Sequence, residues 1–226
     1  MLANLIPVYL YQGQPLPPVK YHYDYVLAAQ GLLKRLDTPL VTAERLLAPV
    51  ETPLPGLRLH AYPLAGVRLK VPRIPGRLLA QVYRDACRDL SLEVLYHFKH
   101  TATRGWWVER AELTHQSAVR LTYLADPQHL ALDLHSHHRM EAFFSDTDDA
   151  DEQGARFYAV IGRLDTARPE LALRLGMHGH YYPNLPGLTL FDDLGPFIDK
   201  WLPDEAPLPT PVTAETRWYD KLFRRR

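Results

Sequence analysis

The sequence predicts an α/β domain with a mixed β-sheet flanked by helices, preceded by a small β-rich module and followed by an irregular C-terminal tail. Two observations carry this expectation. A single apolar helical stripe over residues 77–90 is followed by short strand-like segments, interrupted by a polar, acidic stretch at 145–153. Helix, strands, acidic helix start and further strands is the order of an α/β sheet domain. The 20 prolines crowd the chain before residue 75 and return after 183, and so frame the patterned middle.

Residues 1–75 are expected to form the β-rich module and its linker. Tyr23, Tyr25 and Leu27 alternate as a strand does, whereas the stretch GLLKRLDTPLVTAERLL reads either as a strand pair or as a short helix. The linker ends near Pro75-Gly76. The main domain, residues 76–183, opens with a helix: Leu78, Leu79, Val82, Ala86 and Leu90 share one stripe, with Gln81, Arg84, Asp85 and Arg88 outside it. Strand character follows at 92–98, 106–111, 118–124, 129–134, 156–164 and 171–177. Residues 184–226 form an extension with a short helix expected around 197–201.

Charge excludes some classes of function. Lys plus Arg and Asp plus Glu both count 26, so there is no global electrostatic case for nucleic acid or an anionic membrane. The basic tip from Lys221 to Arg226 reads as a solvated terminus. Cys87 is the sole cysteine, which rules out an intrachain disulfide, and its apolar neighbours suggest a buried residue and not a nucleophile. The N-terminal apolar stretch is too short for a secretory core, and no apolar run approaches the ~20 residues of a membrane-spanning helix. A reducing, cytoplasmic setting is expected.

The informative segment runs from residue 134 to 148, LHSHHRMEAFFSDTD. His135 and His137 lie two apart at the end of an expected strand, so their side chains leave the same face. Two imidazoles held together suit Zn²⁺, and Asp148 offers an oxygen ligand. Three protein ligands leave one tetrahedral position for water, the layout of a catalytic and not a structural zinc. Ser145 precedes Asp148 by three residues and opens an acidic run, which also describes a plain helix N-cap favoured by the helix dipole.

The spacing His-x-His, seven residues, Ser-x-x-Asp resembles the signature of the JAMM (MPN-plus, JAB) zinc metalloproteases. The resemblance covers roughly residues 77–182 and implies a cytidine-deaminase-like mixed sheet. It implies one zinc held by His135, His137 and Asp148, with Ser145 helping to hold water or a developing oxyanion. The family also needs a glutamate on the strand after the first helix, where Glu93 opens LEVLYHF, and the resemblance makes Glu93 the proton shuttle. Together with the N-terminal extension, FFSDTDDADE (143–152) is similar to the bacterial JAB branch and to the PRTRC system protein A family. That family implies a ubiquitin-like or sulfur-carrier-like partner, with a ThiF/E1-like protein from the same cassette. One departure stands out: most members have proline after the second histidine, and this chain has His138.

Other signals are weaker. Glu109 and Glu112 rank below Glu93 as bases. His178-Gly179-His180 is a second His-x-His without a carboxylate at ligand spacing, and reads as an exposed strand end. Of Trp106 and Trp107, adjacent on a strand, one is expected in the core and the other partly exposed. The expected function is hydrolysis of a peptide or isopeptide bond. The alternatives are a non-catalytic JAMM-like scaffold for a ubiquitin-like partner and a zinc hydrolase acting on a small molecule.

Overall fold

The computed structural model describes residues 5–51, 56–111, 113–117, 120–123 and 129–201, with backbone alone for 113–117 and 120–123. Glu112, the basic tip and the rest of the extension beyond residue 201 lie outside the described residues.

The N-terminal region is a five-stranded sheet in chain order: β1 (Val8–Leu10), β2 (Tyr23–Ala28), β3 (Gly31–Asp37), β4 (Val41–Pro49) and β5 (Val67–Leu69). The ambiguous leucine-rich stretch is therefore a strand pair. Its polar residues explain the choice. Arg35 sits opposite Asp24 across β2 and β3 and grips its carboxylate through two nitrogens, at 2.8 and 2.6 Å. Lys34, on the other face and fully buried, donates to the His178 carbonyl at 2.7 Å and lies 4.0 Å above the Tyr23 ring. Both partnerships are non-local, and each stabilises the extended backbone against its helical alternative.

After the linker comes α1 (Gly76–Ala86), which buries Leu78, Leu79, Val82 and Ala86 as its stripe requires. It stops four residues short of the expected end, and Leu90 still packs against the same core. No side chain of the N-cap residue Pro75 caps the helix; Asp192, 116 residues away, accepts from Gly76 N at 2.6 Å.

The second sheet is built from β6 (Leu95–Thr101), β7 (Gly105–Arg110), β10 (Leu130–Ser136), β11 (Phe157–Gly162), β12 (Glu170–Gly176), β13 (Tyr181–Tyr182) and β14 (Ile198–Asp199). Strands β8 (Leu113–Ser117) and β9 (Arg120–Tyr123) form a separate hairpin. The main order is β13-β12-β11-β10-β6-β7, with β14 beside β12. β10 and β11 are parallel, and the chain between them includes α2 (Asp146–Asp151). Mixed sheets with few helices are thus the observed architecture. The helix expected at 197–201 is replaced by β14, which pairs with β12 through Glu170 and Leu171.

All seven residues of β10 are buried, because both faces of the sheet are covered. Leu132 and Leu134 join α1 in the main core, together with Phe157, Ala159 and Ile161 of β11 and Leu171, Leu173 and Leu175 of β12. That core also takes Leu36, Val41 and Ala43 from the N-terminal sheet, and Leu190, Phe191 and Phe197 from the segment after residue 184. Asp133 and His135 point to the other face, which carries His97 and Arg174 beside a small apolar cluster of Ala142, Val160 and Ala172. No helix among the described residues is long and apolar enough to cross a membrane.

Candidate metal centre

Strand geometry brings the two histidines together. His135 is the penultimate residue of β10 and His137 follows its end, so the period of two sets both rings on one side, with Nε2 atoms 3.2 Å apart. The chain then turns sharply. The His137 Nδ1 lies 3.1 Å from the Glu141 carbonyl, which calls for the proton on Nδ1 and leaves the Nε2 lone pair for a ligand. The ring edge of Phe143 packs against the His137 ring, with centroids 4.6 Å apart.

The third group comes from α2. Ser145 is its N-cap and Asp148 its third residue, and together they form a reciprocal capping box. Asp148 Oδ2 accepts from both the backbone N and the Oγ of Ser145, each at 2.7 Å. Oδ1 faces the histidines, 3.6 Å from His135 Nε2. The cap reading and the ligand reading of Asp148 are therefore compatible: one oxygen serves each. The Ser145 hydroxyl proton is directed to Asp148 in this arrangement.

The donor atoms of His135, His137 and Asp148 lie within 4.8 Å of one another. Ligands about 2.0–2.1 Å from a tetrahedral ion sit about 3.4 Å apart; the two separations from His135, 3.2 and 3.6 Å, are close to that value, and His137 and Asp148 stand within 4.8 Å. The electrostatics agree. Burial lowers the His135 pKa, with the nearby Asp148 opposing the shift and His137 adding to it, and burial likewise lowers His137. Both imidazoles are thus held neutral, the form that binds metal. Among the described residues, this is the group of histidines, cysteines and carboxylates that could hold an ion.

Glu93 does not open a strand as expected. It lies two residues ahead of β6. The pairing of Leu95 with His135 nevertheless continues past the strand end: Ser136 N donates to the Val94 carbonyl at 3.0 Å, and Val94 N donates to Ser136 Oγ at 3.2 Å. Val94 is thereby fixed beside Ser136, and Glu93 is the residue before it. Burial, then the charge of Asp148, pushes its carboxyl up to about 7. A carboxyl raised by burial and by the charge of Asp148 to about 7 can take up and release a proton near neutral pH.

The rival Glu109 is held elsewhere. It pairs with Lys99 at 2.9 Å and accepts from Trp107 Nε1 at 2.8 Å, and these two hydrogen bonds lower its pKa. The two tryptophans do face opposite ways. Trp106 packs on the core and donates to the Pro72 carbonyl, while Trp107 lies under the Arg104 guanidinium. Cys87 is half-buried, and burial raises its thiol pKa. His178 and His180 occupy a turn between β12 and β13 and not a strand end, because His178 has φ +51° and its carbonyl accepts from Lys34.

His138 accounts for the missing proline. Its φ is +49°, in the left-handed region, and proline is locked near −65°. The turn it makes lays the following loop on the end of β11, where Leu164 N donates to the His138 carbonyl and Arg163 N to the Met140 carbonyl, both at 2.7 Å. The close approach needs Gly162, since a Cβ there would meet the Met140 carbonyl oxygen at 2.4 Å.

Arg174, which no motif of the sequence includes, underlies the site. It projects from β12 on the face of His135 and contacts Asp149 of α2 and its C-cap residue Glu152. Burial pushes the Glu152 carboxyl up, and the guanidinium on it opposes that shift.

A family model for prokaryotic homologs of the JAB domain matches residues 77–175. No curated protein and no solved structure matches the chain. The matched segment runs from α1 into β12 and contains Glu93, His135, His137, Ser145 and Asp148. Over this segment, 99 of the 226 residues, the chain is similar to the prokaryotic homologs of the JAB domain.

Proposed function

We propose that this protein is a zinc-dependent peptidase or isopeptidase that cleaves at the C-terminal tail of a ubiquitin-like or sulfur-carrier-like protein. The observation that supports it is the convergence of two neutral imidazoles and one carboxylate oxygen within 4.8 Å of one another, with Glu93 near enough to feel the Asp148 charge. His135, His137 and Asp148 would hold the ion. Bound zinc supplies Lewis acidity, which lowers the pKa of water toward neutrality and polarises a carbonyl. Glu93 accepts the proton of the attacking water and returns it to the leaving amine. Ser145 orients Asp148 and stands close enough to it to serve the oxyanion once a substrate draws its hydroxyl away.

Exposed apolar side chains flank the site and favour a peptide over a small polar substrate. Leu92 precedes Glu93, and Met140 and Phe143 follow His137; each is at least 41% exposed. An extended tail with apolar side chains would lie across them. The resemblance to the PRTRC system protein A family adds a small ubiquitin-like protein as the partner class, and a ThiF/E1-like protein beside it.

The first test is zinc content, measured for the wild type and for His135→Ala, His137→Ala and Asp148→Ala. About one zinc per chain, lost in all three variants, is expected. Hydrolysis of a ubiquitin-like protein carrying a C-terminal extension should then be abolished by Glu93→Gln with zinc retained. A wild type that takes up no zinc on reconstitution overturns the enzyme reading and leaves the scaffold.

A further inference from the structure

The helix that presents Asp148 has no obvious means of staying in place. It is six residues long, too short to be stable by itself, and buries none of its residues. Its position nonetheless decides whether the third ligand meets the two histidines. His135 lies in a fully buried strand and His137 directly after it; Asp148 has no such support. Something outside the helix must hold it.

We infer that Arg174 is the positioning residue of the metal centre: it clamps α2 to the sheet and so holds Asp148 in ligating position. This rests on the metal-site reading above and adds a residue to it. Arg174 is 6% exposed, pairs with Tyr158 across β11 and β12, and stands on the same face as His135. Its Nε and Nη2 donate to Glu152 Oε2 at 2.9 and 2.6 Å, and its Nη1 donates to Asp149 Oδ1. Asp149 lies in the helix and Glu152, three residues on, is its C-cap, so one guanidinium fork spans the C-terminal end of the helix.

The same group also fixes the helix entrance. Its central carbon lies 3.9 Å from the centroid of Phe144, the residue before the Ser145 cap, and 3.9 Å from that of Tyr181. Tyr181 closes the arrangement by donating its hydroxyl to the Asp149 carbonyl at 2.8 Å. The guanidinium therefore touches residues 144, 149 and 152, on both sides of Asp148. Lysine cannot reproduce this: it is a point charge without a planar fork.

The experiment measures zinc affinity by chelator competition, and the visible spectrum of the Co²⁺-substituted protein, for wild type, Arg174→Lys, Arg174→Ala and the double variant Asp149→Ala/Glu152→Ala. Losing a group that orients a ligand weakens metal binding by about 10–100-fold. That loss is expected in all three variants, with the Co²⁺ spectrum shifting toward that of Asp148→Ala. The double variant removes the clamp from the helix side alone, so it decides the question if a substitution at the buried Arg174 prevents folding. Zinc affinity within twofold of wild type in the folded variants, with an unaltered Co²⁺ spectrum, overturns the inference while leaving the metal site intact. A wild type that binds neither ion overturns the metal reading itself, and this inference with it.

Discussion

Restoring the family's usual proline at position 138 should damage this protein. The substitution His138→Pro forces φ from +49° to about −65°. The turn cannot survive that rotation, and three backbone hydrogen bonds depend on it: Met140 N to the His137 carbonyl at 2.8 Å, Arg163 N to the Met140 carbonyl and Leu164 N to the His138 carbonyl. At about 1 kcal/mol each, their loss amounts to about 3 kcal/mol. His138→Gly, by contrast, relieves the left-handed backbone cost of a side chain and should be within about 1 kcal/mol of wild type. Urea unfolding monitored by tryptophan fluorescence measures both. Zinc affinity should fall with the proline variant alone, since His137 takes its orientation from the Glu141 carbonyl within the same loop. A proline variant as stable as wild type, with unchanged zinc affinity, would refute the argument and show that the turn tolerates a negative φ.

Three further outcomes follow from contacts elsewhere. Asp192→Ala removes the long-range cap on α1 and should cost about 1 kcal/mol in urea unfolding; no change would mean that Gly76 N is equally well served by water. Gly162→Ala places a Cβ 2.4 Å from the Met140 carbonyl oxygen and 2.5 Å from Ala142 N, so it should lower both stability and zinc affinity; unaltered values would show the loop free to lift. Burial lowers the Lys34 pKa to about 8, from the 10.5 of an exposed lysine. Between those values the unfolded chain binds more protons, so this residue's contribution to stability should rise with pH from about 8 to 10.5, by no more than about 1.4 kcal/mol per pH unit. Subtracting the pH profile of Lys34→Met isolates the effect, and identical profiles would sink it.

What could be read from the sequence divides by distance along the chain. His135 and His137 are two apart, Ser145 and Asp148 three apart, and strand and helix periods alone place each pair on a common side. The α1 stripe was readable for the same reason. Joining the two pairs, and adding Glu93 from more than 40 residues upstream, required the spacing of a family, because no local period relates a strand end to a helix N-terminus beyond a turn. Even then the start of β6 was misplaced by a few residues, since a register set by Leu95 against His135 is a tertiary fact.

The same principle explains the N-terminal strands. GLLKRLDTPLVTAERLL has no decisive period, and Asp24 and the His178 carbonyl, which resolve the ambiguity, lie 11 and 144 residues away. Arg174 is the extreme case. In the sequence it is one charged residue in a buried strand, LALRLGM, where it breaks the apolar pattern without explanation. Burying a guanidinium is costly unless it is paired, so such a residue marks a place where the fold spends stability on something else. Here the partners are two carboxylates, one on the helix that carries Asp148 and one at its C-cap. A charge interrupting an apolar strand, on the face that carries the metal ligands, is thus a signal for the support of a site even when the motif residues give no hint of it.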